Sequence, residues 1–387
     1  MEQVWTAPTA APVVASPVLA GDALAVIDAG GGLYCFDART GDERWRRPGP
    51  FEDWREHGSA FSLAPAIWRD WVFTEAMDGL HVHDVRTGDL VRTVDHGGCP
   101  TVVADLLLVH HLNDGARAYT LPDLTPVWSQ EEWGGWMRVS PALTPEGIAC
   151  AALGFEEQHT HGGLVAFDPA TGTEVFQRDD SYEDCPLGQA EDWLTFSPSK
   201  AVAAEGLVWL PRDRGHEDDG HDPGPWNSLE IVGLDPRTGE DRWCHRLDPA
   251  LESYGTGAVT VAGGTVFFGA AVGGQPSVSP EFDAELVLHA IDIASGSTRW
   301  TRPLKGFAAP PEAHGSLLYT ATELGEVSAL DTATGNVVWS VATGARISHP
   351  HDFVEESTDR YDEPGAAVVK GHQTLFVRTD TGIVALR

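Results

Sequence analysis

Lysine is nearly missing from this chain: Lys200, Lys305 and Lys370 are all it has. Basic charge is carried by arginine and is heavily outnumbered, with 25 Lys and Arg against 58 Asp and Glu, a formal net charge of −33. Such a surface repels phosphate backbones and anionic lipid, so neither nucleic acid nor a membrane is an expected partner. Cysteine is also scarce. Cys35, Cys99, Cys150, Cys185 and Cys244 are odd in number, scattered, and never adjacent or in a C-x-x-C pair. That argues against a disulfide scaffold and a thiolate zinc site. Free thiols suit a reducing compartment, and a cytoplasmic location is the expectation. No apolar run reaches the roughly 18 residues of a membrane helix. The first residues, Met1 to Trp5, lack a basic region, and Pro8, Pro12 and Pro17 break the stretch that follows. No export signal is expected.

What the chain does have is turn residues, 42 Gly and 26 Pro, and a repeat. The first unit opens with Ser16-Pro17-Val18-Leu19-Ala20 and passes through Ala23–Ile27 and Leu33–Asp37. It ends in Asp37-Ala38-Arg39-Thr40-Gly41, with Trp45 four residues on. The ending recurs as Asp84/Gly88/Arg92, Asp168/Gly172/Phe176, Asp235/Gly239/Trp243, Asp292/Gly296/Trp300 and Asp331/Gly335/Trp339. A degenerate copy, Leu121-Pro122-Asp123-Leu124-Thr125, leads to Trp128. Openings recur at Ala64-Pro65, Cys99-Pro100, Ser140-Pro141, Ser197-Pro198, Ala309-Pro310 and His349-Pro350. Asp starts a turn by folding back on the backbone, and Gly accepts the positive φ of a bulged hairpin. A large flat Trp cannot be hidden by one four-stranded unit alone, so the units must stack around a ring.

Seven endings are present, and the segment Thr374–Arg387 supplies an eighth unit that stops where its fourth strand would begin. Glu2-Gln3-Val4-Trp5 carries the missing tryptophan. The expectation is an all-β, eight-bladed propeller forming one domain over 1–387. Residues 1–5 would complete a last blade formed by about 366–387, closing the ring and removing two open edges.

The Ala-x-Asp-x-x-Thr-Gly-x-x-x-Trp unit resembles the tryptophan-docking repeat of pyrroloquinoline-quinone-like propellers. It is similar to the propellers of quinoprotein alcohol dehydrogenases and of the outer-membrane barrel-assembly lipoprotein, which share a WD40-like architecture. The resemblance spans essentially the whole chain. It implies the fold and leaves the function open, because the matching residues are structural.

The long segments fall at d–a connections (46–61, 178–196, 345–365, and a shorter 129–138) and b–c connections (154–162, 211–227, 270–285). These emerge on one face of the ring, and elaborated loops on a rigid scaffold are the usual form of a binding surface. They carry Trp54, Trp133, Trp136, Arg138, Trp193, Trp226, His349 and Tyr361, with Lys200 as an unusual charge on an inner strand. Aromatic walls with a few polar groups describe a ligand pocket. His57, His314, His351, Asp192 and Asp352 are the candidate acids and bases. His216, His221 and their neighbouring aspartates match no metal motif, and no metal is expected. There is no G-x-S-x-G, H-E-x-x-H or phosphate-binding glycine loop. Quinoprotein dehydrogenases set an adjacent Cys pair against their cofactor, which this chain lacks, so no cofactor is expected. The reading is a monomeric binding module that recognises a small molecule, peptide or protein on its loop-rich face. The alternative is a cofactor-independent lyase, cyclase or hydrolase using the same face.

Overall fold

Each repeat ends in a turn that its aspartate builds. The Asp37 carboxylate accepts the backbone N–H groups of Arg39 at 2.9 Å and Thr40 at 3.3 Å, and Gly41 N–H returns to the Asp37 carbonyl at 2.8 Å. Gly41 closes the turn at φ 76°, a conformation that costs glycine nothing. Asp84, Asp292 and Asp331 repeat the arrangement with Gly88, Gly296 and Gly335. The computed structural model describes residues 1–49, 64–76, 78–111, 115–131, 133, 141–153, 163–179, 192–196, 201–216, 228–247, 259–272, 285–304, 311–347, 367–371 and 373–387.

Among these residues all regular structure is β, in eight antiparallel sheets. The closing strand is β1 (Gln3–Pro8). Blade one follows as β2 (Val18–Ala20), β3 (Ala23–Ile27), β4 (Leu33–Asp37) and β5 (Glu43–Arg47). Blade two is β6 (Ala66–Trp68), β7 (Trp71–Ala76), β8 (Gly79–Asp84) and β9 (Leu90–Val94). Blade three is β10 (Cys99–Val103), β11 (Leu106–His111), β12 (Gly115–Thr120) and β13 (Pro126–Gln130). Blade four is β14 (Ala142–Leu143), β15 (Ala149–Leu153), β16 (Gly163–Asp168) and β17 (Thr173–Asp179). Blade five adds a strand: β18 (Asp192–Phe196) and β19 (Val202–Ala204) both pair with β20 (Leu207–His216), beside β21 (Ser228–Leu234) and β22 (Asp241–Arg246). Blade six is β23 (Thr260–Ala262), β24 (Thr265–Val272), β25 (Glu285–Asp292) and β26 (Thr298–Leu304). Blade seven is β27 (Glu312–His314), β28 (Leu317–Ala321), β29 (Glu326–Asp331) and β30 (Val337–Ala342). Blade eight is β31 (Val368–Lys370), β32 (Leu375–Thr379) and β33 (Gly382–Leu386), completed by β1.

The ring therefore closes on its first strand, as expected, although that strand runs to Pro8 and not only to residue 5. Two further details differ. The inner strand of blade eight begins at Val368, well past the His349-Pro350 opening. The segments 178–196 and 211–227 are not wholly loop, because Asp192–Phe196 and Arg212–His216 pair with one another as strands.

Neighbouring blades are joined by one contact used again and again. Trp45 of blade one lies over Gly88 of blade two so closely that a Cβ there would meet the ring at 2.5 Å. Its indole N–H donates to the carbonyl of Val85, just after the turn aspartate, at 2.8 Å. Trp128 does the same to Gly172 and Pro169, and Trp300 to Gly335 and Thr332, with bonds of 2.9 and 3.0 Å. Phe176 covers Gly239 without the hydrogen bond. Two residues after the ring, Arg47, Gln130, Arg178 and Arg302 each donate to the carbonyl of the glycine being covered. At the seam Trp5 covers Gly41 in the same way, but its Nε1 is buried and unpartnered.

The core is divided accordingly. Apolar side chains cluster between adjacent sheets, such as Leu24, Phe36, Phe376 and Ile383 at the seam, or Phe267, Leu288, Leu318 and Leu330 between blades six and seven. Among the described residues three histidines are buried, His83, His110 and His289; His83 is hydrogen-bonded to the Gly88 carbonyl, and the other two have unpartnered ring nitrogens. His110 on β11 is 1% exposed, with neither ring nitrogen hydrogen-bonded. His289 on β25 stacks flat on Phe268 at 5.1 Å, its Nε2 unpartnered. Burial pushes both down to about 4.

Two predictions follow from this architecture. Deleting residues 1–8 uncovers the edge of β33, so the shortened chain should self-associate and melt lower than the full chain, as sedimentation and thermal unfolding would show. An unchanged melting temperature and sedimentation profile would contradict closure by that strand. Buried His110 and His289 set a pH dependence. Their folded values lie below the ordinary 6.5, so the native state binds fewer protons than the unfolded one. Stability is full above that value and falls as the pH drops towards 4, by on the order of 2 kcal/mol per histidine at pH 5. The His110→Leu/His289→Phe variant should lose much of this drop between pH 7 and 5; an identical profile would disprove the assignment.

Candidate functional site

In each blade the second and third strands are joined on the rim where the fourth strand ends and the next blade begins. The turns from third to fourth strand lie on the opposite rim and are uniformly tight: Asp37 to Glu43, Asp84 to Leu90, Asp168 to Thr173, Asp331 to Val337. The first rim carries the long connections, such as Arg246 to Thr260, Val272 to Glu285 and Ala342 to Val368. Length is thus added on one rim only.

Two polar clusters anchor that rim. In blade one the Asp28 carboxylate, 1% exposed, accepts the N–H groups of Ala11, Gly30 and Gly32 at 3.1, 3.0 and 2.8 Å and the Tyr34 hydroxyl at 2.9 Å. Burial raises the Asp28 carboxyl, against the opposing pull of these four donors. Tyr34 in turn accepts from Ala10 N–H at 2.9 Å, and burial lifts its hydroxyl to about 12. Asp28 thereby ties the segment after β1 to the first rim turn. Its lone pairs are spent on the scaffold, which leaves it little capacity for acid–base work.

The second cluster runs along blade five, from Asp241 beside its tight turn up to Arg212 and Glu230, where β18 joins β20. Arg212 is buried and reaches Glu230 at 2.7 Å and Asp241 at 2.9 Å. Arg178 of blade four crosses to Asp241 at 2.6 Å, and Arg246 meets the other Glu230 oxygen at 2.7 Å. Burial alone would lower Arg212, but its bonds to Glu230 and Asp241 outweigh that and raise it. Burial likewise works against the Asp241 carboxylate, and Arg178 and Arg212 prevail, holding it low. A network so fully paired orients the extension; removing one member would strand an uncompensated charge.

The residues singled out from the sequence are placed as follows. Trp54, His57, Trp136, Arg138, Lys200, Trp226, His349, His351, Asp352 and Tyr361 lie outside the described residues. Asp192 and Trp193 stand together on β18, opposite His216 and Gly215. Trp133 is 3% exposed and sits in the layer between blades three and four, its ring 4.7 Å from Phe167 and 6.0 Å from Trp128. The indole pins its connection to the blade beneath and presents almost no surface to a ligand. His314 closes β27 at the turn into β28, paired with Leu317. That is the tight rim, opposite the long loops, where its imidazole lies 3.4 Å from Glu312. The structure therefore separates His314 from the loop-rich face. Sequence reasoning overlooked Asp28, whose only signal is its place beside the Gly30-Gly31-Gly32 turn. It also overlooked the Arg212 cluster, whose members come from four strands. Among the described residues no group of three or more His, Cys, Asp or Glu is placed to hold a metal ion.

Comparison with known proteins matches this architecture. The family model described as outer membrane protein assembly factor BamB matches residues 2–184, 76–341 and 227–386. The serine/threonine-protein kinase AfsK of Streptomyces griseus is 32% identical over 201 residues, covering 48% of this chain and 20% of that protein. The chain thus spans about a fifth of that curated relative. Among solved structures, BamB from Moraxella catarrhalis superposes with a TM-score of 0.61 at 12% identity, covering 99% of this chain and 96% of its own. The quinohemoprotein alcohol dehydrogenase from Comamonas testosteroni gives 0.66 at 14% identity, covering 99% of this chain and 76% of its own. At such identities these structures speak to the fold alone. With its family model matched from end to end and its eight sheets closed into a ring, the chain belongs to the BamB-like family of pyrroloquinoline-quinone-type repeat propellers.

Proposed function

We propose that this chain is a binding module that takes a protein or peptide partner on its loop-rich face, over the central channel. The observation that carries the reading is the asymmetry of the two rims: tight, Asp-built turns on one, long connections on the other. Loops on a rigid ring can diversify without disturbing the joints between blades. The likeness to an assembly factor supports a scaffolding role, as does the match to a fifth of a larger protein. Trp54, Trp136, Trp193 and Trp226 are the proposed aromatic anchors, since large rigid side chains dominate binding energy at interfaces. The quinoprotein likeness does not extend to redox chemistry in this reading, because the chain has no adjacent cysteine pair.

Site-specific cross-linking tests the choice of face. Photoreactive residues at Asp78 and Glu131, on the loop-rich rim, should capture a defined partner in cells that make the protein. The same residues at Thr40 and Thr334, on the tight rim, should not. Capture from the tight rim alone would refute the reading. Titration with pyrroloquinoline quinone and calcium should leave the melting temperature unchanged, whereas stoichiometric binding would favour an oxidoreductase.

A further inference from the structure

One joint has no aromatic ring at the docking position. Between blades two and three, the position of the docking tryptophan is Arg92, and the glycine it would cover is Leu124, held at φ 55°. Arg92 bonds the carbonyl of Asp123 at 2.6 Å, so it keeps the blades in contact without filling the space of an indole. A groove of about 540 Å³ opens there, between β9 and the strands β12 and β13. It runs along the side of the ring, up to Asp95 and His96 on the connection into blade three.

The lining is chemically unlike the rest of this acidic surface. Arg92, Arg117, His96 and Tyr119 line the groove, with Asp95 its only carboxylate among the described residues. Most arginines of the ring are neutralised, as Arg44 is by Asp37, Arg47 by Asp89 and Arg299 by Asp292. Arg92 and Arg117 form no ion pair among the described residues. Arg117 donates to Nε2 of His96, which leaves the other ring nitrogen of His96 as a donor, and its own Nε is buried without a partner. Two guanidinium groups, an imidazole donor and a phenol thus line one unfilled space.

We propose that this groove is a binding site for a small oxyanion, either a carboxylate or a phosphate monoester. Guanidinium forks suit both groups, and charge-assisted bonds to them are the strong ones. A net charge of −33 disfavours anions elsewhere on the molecule, so any saturable anion binding must come from local donors.

Calorimetric titration of the full chain with inorganic phosphate, and separately with succinate, tests the site and distinguishes the two chemistries. At least one should bind saturably with a Kd of about 1 mM or tighter at moderate salt. Arg117→Gln should weaken that binding at least about tenfold. Asp95→Asn should tighten it, because it removes the opposing charge. Should Arg117→Gln fail to fold, Arg92→Gln and Asp95→Asn carry the same test in opposite directions. Absence of saturable binding to either probe would overturn the proposal, as would affinities that none of these variants changes.

Discussion

An aromatic ring laid over a glycine of the next blade, as Trp5, Trp45, Trp128, Phe176 and Trp300 are, is the contact on which the ring depends. Four-stranded sheets expose two apolar faces, and neither can be hidden within one blade. The tryptophan covers the neighbour's turn, and the N–H of Trp45, Trp128, Trp243 and Trp300 donates to the carbonyl of the residue after the turn aspartate. The glycine must be glycine twice over, because its φ is positive and its missing Cβ is the space the ring occupies. Burying each ring is worth on the order of 2–3 kcal/mol. Its geometric role is larger, because it sets the angle and spacing at which blades meet.

The same constraint explains where the molecule can vary. Turns beneath the indoles stay short, since any insertion there would displace the docking glycine. Variation is confined to the opposite rim, where the strands of blade five extend outward and an Arg–carboxylate network holds their base. Where the indole itself is replaced, by Arg92, the apolar layer is made up by Leu121, Leu124 and Tyr119, and a polar groove opens outside it. Loss of the usual contact and gain of a candidate site are one event.

Much of the fold was legible because its chemistry is local. Aspartate, glycine and tryptophan act within nine residues of chain, so the blade count and the closing strand could be read directly from Asp37, Gly41 and Trp45 and their copies. The site was less legible, because it depends on which way a side chain faces after the blades have packed. Trp133 reads as a rim aromatic until Phe167 is seen beneath it, and His314 reads as a channel residue until its pairing with Leu317 sets it on the other rim. His110 and His289 alternate with apolar neighbours on their strands, and nothing in their local sequence distinguishes a buried imidazole from an exposed one. Arg92 was visible as a departure from the repeat, but the groove it leaves requires the facing strands of blade three.

The most direct measurement is a double-mutant cycle between Trp45 and Gly88, read by denaturant unfolding. Gly88→Ala should be severely destabilising in the native background, because its methyl group would enter the ring of Trp45. In the Trp45→Ala background its cost should shrink to that of the left-handed turn alone, about 1 kcal/mol. Equal costs in the two backgrounds would show that ring and glycine are uncoupled, and the indole contact would no longer account for how the blades are joined.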